Sequence, residues 1–324
     1  MRILILTCII ILCRVPGALA ETSCTIMSHP ILAFGIVDPR NSRKDSQSNL
    51  AIKCRNSNTF FKSVVKLCLG IESDSNNPNG QRYIYNKKNN SKMAYNIFFD
   101  PSRSRVVGTS DDKNYNINST NFTINARSSF DILIPFYGRV YTGQYELPPG
   151  DYTYTASGTM TRLDFSYYDS PSEPPPQSCI SPRKHKQVMF SVVVEALVVP
   201  HCYINFARDL DFGFVDNLLN HYATGQSHLA LTCTYGTNYA VAIDNGLYYS
   251  SGQRRMSNGS NRFIPYELYQ DSGRSKNWDS HNGNLKYGSG TGKRENLIIY
   301  GKVDPQPDVT AGSYSDRVTA TITY

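Results

Sequence analysis

The residues of this 324-residue chain best placed to do chemistry are its eight cysteines, and the chemistry they offer is cross-linking. Arg2, the apolar run over residues 3–13 and the small-x-small site Ala18-Leu19-Ala20 read as a signal peptide over residues 1–20. The mature chain is then expected to begin at Glu21 with 324 − 20 = 304 residues, and loss of Cys8 and Cys13 leaves 8 − 2 = 6 cysteines, an even number suited to an oxidising compartment. Leu12 is too bulky to precede a lipidated Cys13. Cys24 and Cys54 lie 54 − 24 = 30 positions apart, and Cys202 and Cys233 lie 233 − 202 = 31 apart, as if one bridge had been copied into two domains; Cys68 and Cys179 remain as a third pair. Closing a loop of that size stabilises a fold by about 3 kcal/mol.

Other chemistries find little footing. No Cys-x-x-Cys or His-x-x-x-His spacing offers a zinc site, so neither metal nor cofactor is expected. No Gly-x-Ser-x-Gly elbow occurs, and Gly288-Ser289-Gly290-Thr291-Gly292-Lys293 has Tyr287 where a phosphate-binding loop needs its first glycine, so it reads as a flexible turn. The six histidines, at 29, 185, 201, 221, 228 and 281, are dispersed, and no enzyme is expected. The formal charge of +7 becomes +5 without Arg2 and Arg14. Its basic residues are scattered and build no platform for nucleic acid.

The elements that must position these cysteines are strands. The chain has 23 Tyr and 14 Phe, with 22 Gly and 17 Pro set between short alternating runs, which points to an all-β fold. Alternation predicts strands over 50–54, 61–71, 94–99, 132–137, 229–235, 239–243, 266–269 and 297–303. Residues 187–199 form a strand apolar on both faces, with Phe190, Val192, Val194, Ala196 and Val198 on one of them. Such a strand needs cover on both sides.

An internal repeat divides the chain. Ala33-Phe34-Gly35-Ile36-Val37-Asp38 recurs as Asp211-Phe212-Gly213-Phe214-Val215-Asp216, and Pro135-Phe136-Tyr137-Gly138-Arg139-Val140 as Ile298-Ile299-Tyr300-Gly301-Lys302-Val303. Gly150-Asp151-Tyr152 recurs as Gly312-Ser313-Tyr314 at an offset of 162, with Ala156, Gly158 and Met160 answering Val318, Ala320 and Ile322. Two domains are expected, 21–199 and 200–324.

Cys-x-Ile near a domain start, Phe-Gly-x-Val-Asp, a second Cys some thirty residues on, Arg254-Arg255-Met256, Tyr266-x-Leu-Tyr269-x-Asp271, Gly301-Lys302-Val303 and a closing Gly-x-Tyr-x-Asp before a Thr-alternating strand together resemble the spore coat protein U family. The second domain matches nearly throughout; the first has Lys92-Met93 in place of Arg-Arg-Met, an Asn-rich insertion over 73–91, an extra cysteine pair and a Pro-rich excursion. The resemblance implies two tandem immunoglobulin-like, pilin-type β-sandwiches, the second lacking its final strand, and the tip adhesin of an archaic, Csu-type chaperone-usher pilus. It further implies a periplasmic chaperone, an outer-membrane usher and an adjacent subunit that donates a strand, with display on the cell surface and biofilm formation.

On this reading residues 187–199 complete the first domain in cis, whereas the second must borrow a strand along the edge bearing Val318, Ala320, Ile322 and Tyr324. Three residues before Cys24 are too few to donate a strand, which predicts the tip position. The distal loops are then expected at 55–61, 100–116 and 164–186, presenting Phe60, Phe61, Val106, Val107, Phe165, Tyr167 and Tyr168 to an abiotic or host surface. The alternative is a secreted two-domain carbohydrate-binding or coat protein outside any pilus, reading glycans through Tyr, Asn and Trp278.

Overall fold

A computed structural model of the chain describes residues 21–38, 40, 42–73, 81–108, 118–170, 173–181, 184–281 and 283–324, so the expected signal peptide lies outside the described residues. The described strands fall into two units that share no sheet. In the first, one sheet runs in spatial order β1 (Thr22–Ser28), β3 (Lys44–Asn56), β8 (Ser129–Val140), β6 (Lys92–Phe98), β5 (Arg82–Asn86), β9 (Gly150–Ala156), β12 (Val192–Val198) and β2 (Ile31–Ile36). Facing it lie β11 (His185–Met189), β10 (Thr161–Tyr168), β4 (Ser63–Ile71) and β7 (Asn118–Ile124). The second unit has one sheet of β13 (Cys202–Ala207), β14 (Ala223–Cys233), β19 (Arg294–Val303), β17 (Phe263–Tyr269) and β16 (Arg254–Ser257), and another of β18 (Lys286–Ser289), β15 (Asn238–Ile243) and β20 (Ala320–Thr323). Each unit has its own buried apolar cluster.

The repeated motifs are packing devices. Cys24 pairs directly with Cys54 across β1 and β3, as Cys202 does with Cys233 across β13 and β14, and both are bonded; Cys68–Cys179 is the third bridge. A bulge follows at the matching place in each pair, at Ile26/Ser28 and at Ile204/Phe206. Phe34 lies so close over Gly138 that a Cβ there would come within 2.8 Å of its ring, and Phe212 lies 2.9 Å from the same point on Gly301. The Phe-Gly and Gly-Arg/Lys-Val motifs are thus two halves of one contact. The Gly-x-Tyr motif is a tyrosine corner: the Tyr152 hydroxyl donates to the Pro148 carbonyl and the Tyr314 hydroxyl to that of Thr310, each at 2.8 Å.

A buried arginine closes each unit. Arg254 donates through Nη2 to the Ile243 and Trp278 carbonyls, at 3.1 and 3.0 Å, and Arg82 donates to those of Ile71 and Val107, at 2.7 and 2.8 Å. Arg254 pairs with Tyr266 across its hairpin and Arg82 with Tyr95 across its own. Arg82 therefore holds the Arg254 position, and the expected match of Lys92-Met93 to Arg-Arg-Met is corrected. Intervening insertion hid this from spacing alone. The same correspondence aligns Tyr95-x-Ile97-Phe98-x-Asp100 with Tyr266-x-Leu268-Tyr269-x-Asp271, and Val107 with the fully buried Trp278.

The repeat also slips where a 3-10 turn, Gly158–Met160, inserts into the first unit. Thr161 and Leu163 pair with Ile71 and Leu69, while Ala320 and Ile322 pair with Ile243 and Val241. Ala320 and Ile322 thus answer Thr161 and Leu163, not Gly158 and Met160. Tyr324 answers Phe165 by continuation.

Replacing Arg82 by Met strands the two buried carbonyls, of Ile71 and Val107, that its Nη2 holds. Since each unmet buried group costs about 1–3 kcal/mol, we expect chemical denaturation to show a loss of about 3 kcal/mol in the first unit. A loss below about 0.5 kcal/mol, the level of an ordinary surface substitution, would show that the arginine holds nothing together.

Candidate strand-acceptor edge and distal pole

In the first unit the last stretch of the domain, β9 and β10, is one chain that changes sheets at the 3-10 turn. The segment that follows lies along its whole length. β11 pairs antiparallel with β10, from Arg162–Met189 to Ser166–His185, and β12 pairs antiparallel with β9, from Ala156–Val192 to Gly150–Val198. The strand expected over 187–199 is therefore two strands in two sheets, broken at Phe190-Ser191, because its partner is itself broken. On its other side β12 runs parallel to β2. Phe190, Val192, Val194, Ala196 and Val198 are all buried in the first core, with the Phe190 ring 6.4 Å from that of Phe136. Their burial contributes on the order of 10 kcal/mol before ordering costs, comparable to the net stability of a domain.

The second unit has the same two edges with nothing described between them. Residues 208–215, the counterpart of β2, and 312–318, the counterpart of β9, form no strand, although Ser315 bridges to Ser257. β20 is an edge strand, paired with β15 alone among described strands. Val318 is 38% exposed where its counterpart Ala156 is 3% exposed, and Val215 is 37% exposed where Val37 is 2% exposed. Leu210, Phe212, Leu297, Ile299 and Tyr314 are only partly buried, while Leu32, Phe34, Ile134, Phe136 and Tyr152 are buried. The four residues expected on this edge are found along it: Ala320 and Ile322 half-buried against the second core, Val318 and Tyr324 exposed. Phe214, 95% exposed beside Gly213, lies on the facing edge and went unnoticed in the sequence, where it reads as one more residue of a repeat.

Polar bonds prepare this edge. The Asp316 carboxylate accepts from the Tyr266 hydroxyl at 2.7 Å and from the Leu247 N–H at 2.9 Å. Burial, and then that bond to Asp316, push the Tyr266 phenol well above its ordinary range. Burial works to raise the Asp244 carboxyl. The N–H groups of Thr319 and Gly246, 2.9 and 3.0 Å away, outweigh it together with the Thr319 hydroxyl and Arg254, and hold the group below its ordinary value.

The far end of the first unit is organised by two asparagines. Asn56 Nδ2 donates to the Phe61, Ile124 and Asn125 carbonyls, and the Asn58 carboxamide oxygen accepts from the N–H groups of Phe60 and Phe61. This holds Phe60 out at 83% exposure and Phe61 at 45%, with their rings 6.5 Å apart. Phe130, stacked on Phe122 at 5.1 Å, adds exposed apolar surface to the same end that sequence patterning missed, because it sits singly between Ser129 and Asp131.

Other residues expected to be presented at this pole are not exposed there. Phe165 and Tyr167 are buried in β10, with Tyr168 half-buried, because that segment is a strand rather than a loop. Val107 is buried and Val106 half-buried. The loop that carries them turns toward the opposite end of β3 and β8, where Arg103 Nε donates to the Gly138 carbonyl at 3.1 Å. Residues 109–116 of that expected loop lie outside the described residues.

Tandem β-sandwiches, one completed by a strand from beyond its own last strand and one open along the same edge, define the class as an immunoglobulin-like, pilin-type chain. The chain belongs to the Spore Coat Protein U domain family, which matches residues 12–159 and again 188–321. It is 31% identical to Protein U of Myxococcus xanthus over 127 residues, 36% of this chain and 71% of that protein. In three dimensions it is similar to a chain of the chaperone–tip adhesion subunit pre-assembly complex from archaic chaperone-usher Csu pili of Acinetobacter baumannii, with a TM-score of 0.54 and 18% identity, covering 93% of this chain and all of that one. A tip adhesin of Pseudomonas aeruginosa aligns over 94% of both chains at 13% identity with a TM-score of 0.42.

Because the folded Asp244 carboxyl ionises at lower pH than in the unfolded chain, its contribution is present above the unfolded value of about 3.9 and is lost as pH falls through the folded one. Trp278, the single tryptophan, is fully buried in the second core and reports on that unit. We expect its fluorescence to show Asp244→Asn about 1 kcal/mol less stable at neutral pH, and less sensitive to acid below about pH 4. An unchanged acid profile would remove Asp244 from the edge's support.

Proposed function

We propose that this chain is an adhesive subunit of a chaperone-usher pilus. The observation that carries the reading is the contrast between the units. The edges that grip β12 in the first are formed in the second by 208–215 and 312–323, with no described strand between them. A periplasmic chaperone fills that place during export, and an adjacent subunit fills it after passage through the outer-membrane usher, since an open sheet edge beside an apolar core calls for strand addition. The first unit, completed from within, takes the terminal position on the cell surface. Phe60 and Phe61, with Phe130 at the same end, form an apolar pole suited to abiotic or host surfaces and so to biofilm formation.

Fusing a donor strand after Tyr324 tests the assembly half of the reading. Trp278-detected unfolding of the second unit is expected to move upward by about 4 °C or more for each kcal/mol gained, with the first unit unmoved. An unchanged midpoint would show that the second unit is complete without a partner and would sink the pilin reading. The adhesive half is tested separately with Phe60→Ser and Phe61→Ser together. Attachment of piliated cells to polystyrene is expected to fall about tenfold, equivalent to 1.4 kcal/mol, at unchanged piliation; full attachment would move the contact elsewhere.

A further inference from the structure

The first unit contains a cavity of about 360 Å³ at the place where its last stretch crosses between sheets, lined among others by Glu72, Tyr83, Tyr85, Tyr95, Tyr154 and Met160. This size lies within the range of small-molecule sites. Four tyrosines around one opening is an unusual concentration on a flank that carries neither the apolar pole nor the strand edge.

The second unit shows what this place does by default. There Tyr266 donates its hydroxyl to Asp316, and Asp316 also takes the Leu247 N–H, so the corner is tied shut by its own residues. In the first unit Tyr95 stands for Tyr266 and Tyr154 for Asp316, and among the described residues no hydrogen bond joins their hydroxyls. Tyr154 instead turns its hydroxyl to the Met160 sulfur at 3.3 Å, and its ring lies 6.2 Å from that of Tyr85. Tyr95 is 1% exposed and lines the cavity, and its hydroxyl makes no hydrogen bond among the described residues. Burial pushes the phenol well above its ordinary range, so it remains a donor at every physiological pH. The neighbouring Arg82 is committed to the Ile71 and Val107 carbonyls and the Asn96 side chain.

We propose that this cavity binds a neutral saccharide, with the tyrosine rings against the sugar's C–H face and the Tyr95 hydroxyl and Glu72 carboxylate engaging its hydroxyls. A sugar is the class that combines an apolar face with closely spaced hydroxyl donors and acceptors. Aromatic walls with a few convergent polar groups are what such a ligand needs. The site is separate from the donor-strand edge and from Phe60 and Phe61, so it stands whether or not the chain assembles into a pilus.

The test is saturation-transfer NMR on the full exported chain with free glucose, galactose, mannose, N-acetylglucosamine and lactose. Each is used at about 10 mM, above a Kd of about 1 mM for a single weak sugar contact. Transfer to at least one sugar is expected. It should weaken about tenfold, or 1.4 kcal/mol, in Tyr95→Phe, which keeps the ring, and vanish in Tyr154→Asp, which installs the second unit's own tie. Phe60→Ser should leave it unchanged. Trp278-reported unfolding, run alongside, reads the state of the second unit independently. Absence of transfer from all five sugars overturns the proposal, and so does transfer that survives both Tyr95→Phe and Tyr154→Asp.

Discussion

Everything in this molecule depends on how the last strand of a sandwich is partnered. In each unit the chain enters that strand through a tyrosine corner, at Tyr152 or Tyr314, and then passes from one sheet to the other. A strand that serves two sheets exposes two edges, and both need backbone partners and apolar cover. In the first unit β12 and β11 supply them in succession. Among the described residues its neighbour meets the same demand with only β15 on one side of β20 and a single bridge at Ser315.

The consequence is an asymmetry of stability within one chain. A nearly complete core in the first unit contrasts with a second whose partly buried apolar residues line its open side. What keeps the second unit in shape is polar. Arg254 binds the Ile243 and Trp278 carbonyls, Asp244 takes the Thr319 N–H, and Asp316 anchors Tyr266 and Leu247. Hydrogen bonds of this kind fix geometry more than they add net stability. They hold the two edges in place. The first unit, closed by its own strand, does not need the Asp316 tie, and Tyr154 in its place leaves the tyrosine-lined cavity.

Much of this was legible in the sequence where a requirement is local. Two-residue alternation marked strands such as 239–243 and 132–137, which lie within β15 and β8. Nearly equal cysteine spacing, 30 and 31 residues, marked a bridge that directly joins paired strands in both units. Phe34 and Gly138 could be seen to repeat as Phe212 and Gly301, though not that they touch. Alignment failed where the first unit carries insertions. The distance from Cys54 to Arg82 is 82 − 54 = 28 residues and from Cys233 to Arg254 is 254 − 233 = 21, so spacing does not single out Arg82, and Lys92-Met93 offers the nearer likeness to Arg-Met. The 3-10 turn at Gly158–Met160 likewise hid Leu163 behind Met160 as the counterpart of Ile322.

By itself the sequence determined the all-β class, the two-fold repeat, the recurring cysteine pair and the apolar segment after the first domain, because each is a pattern along the chain. Only the tertiary structure decided which apolar residues stay in solvent. Phe60 and Phe61 are held out by the asparagines beneath them, whereas Phe165, set between Asp164 and Ser166, is drawn into the core with Tyr167 and Val107. It also decided that the covering segment is two strands rather than one. Exposure and strand breaks are set by what lies across the sheet, from residues distant in sequence, and no local period carries that information.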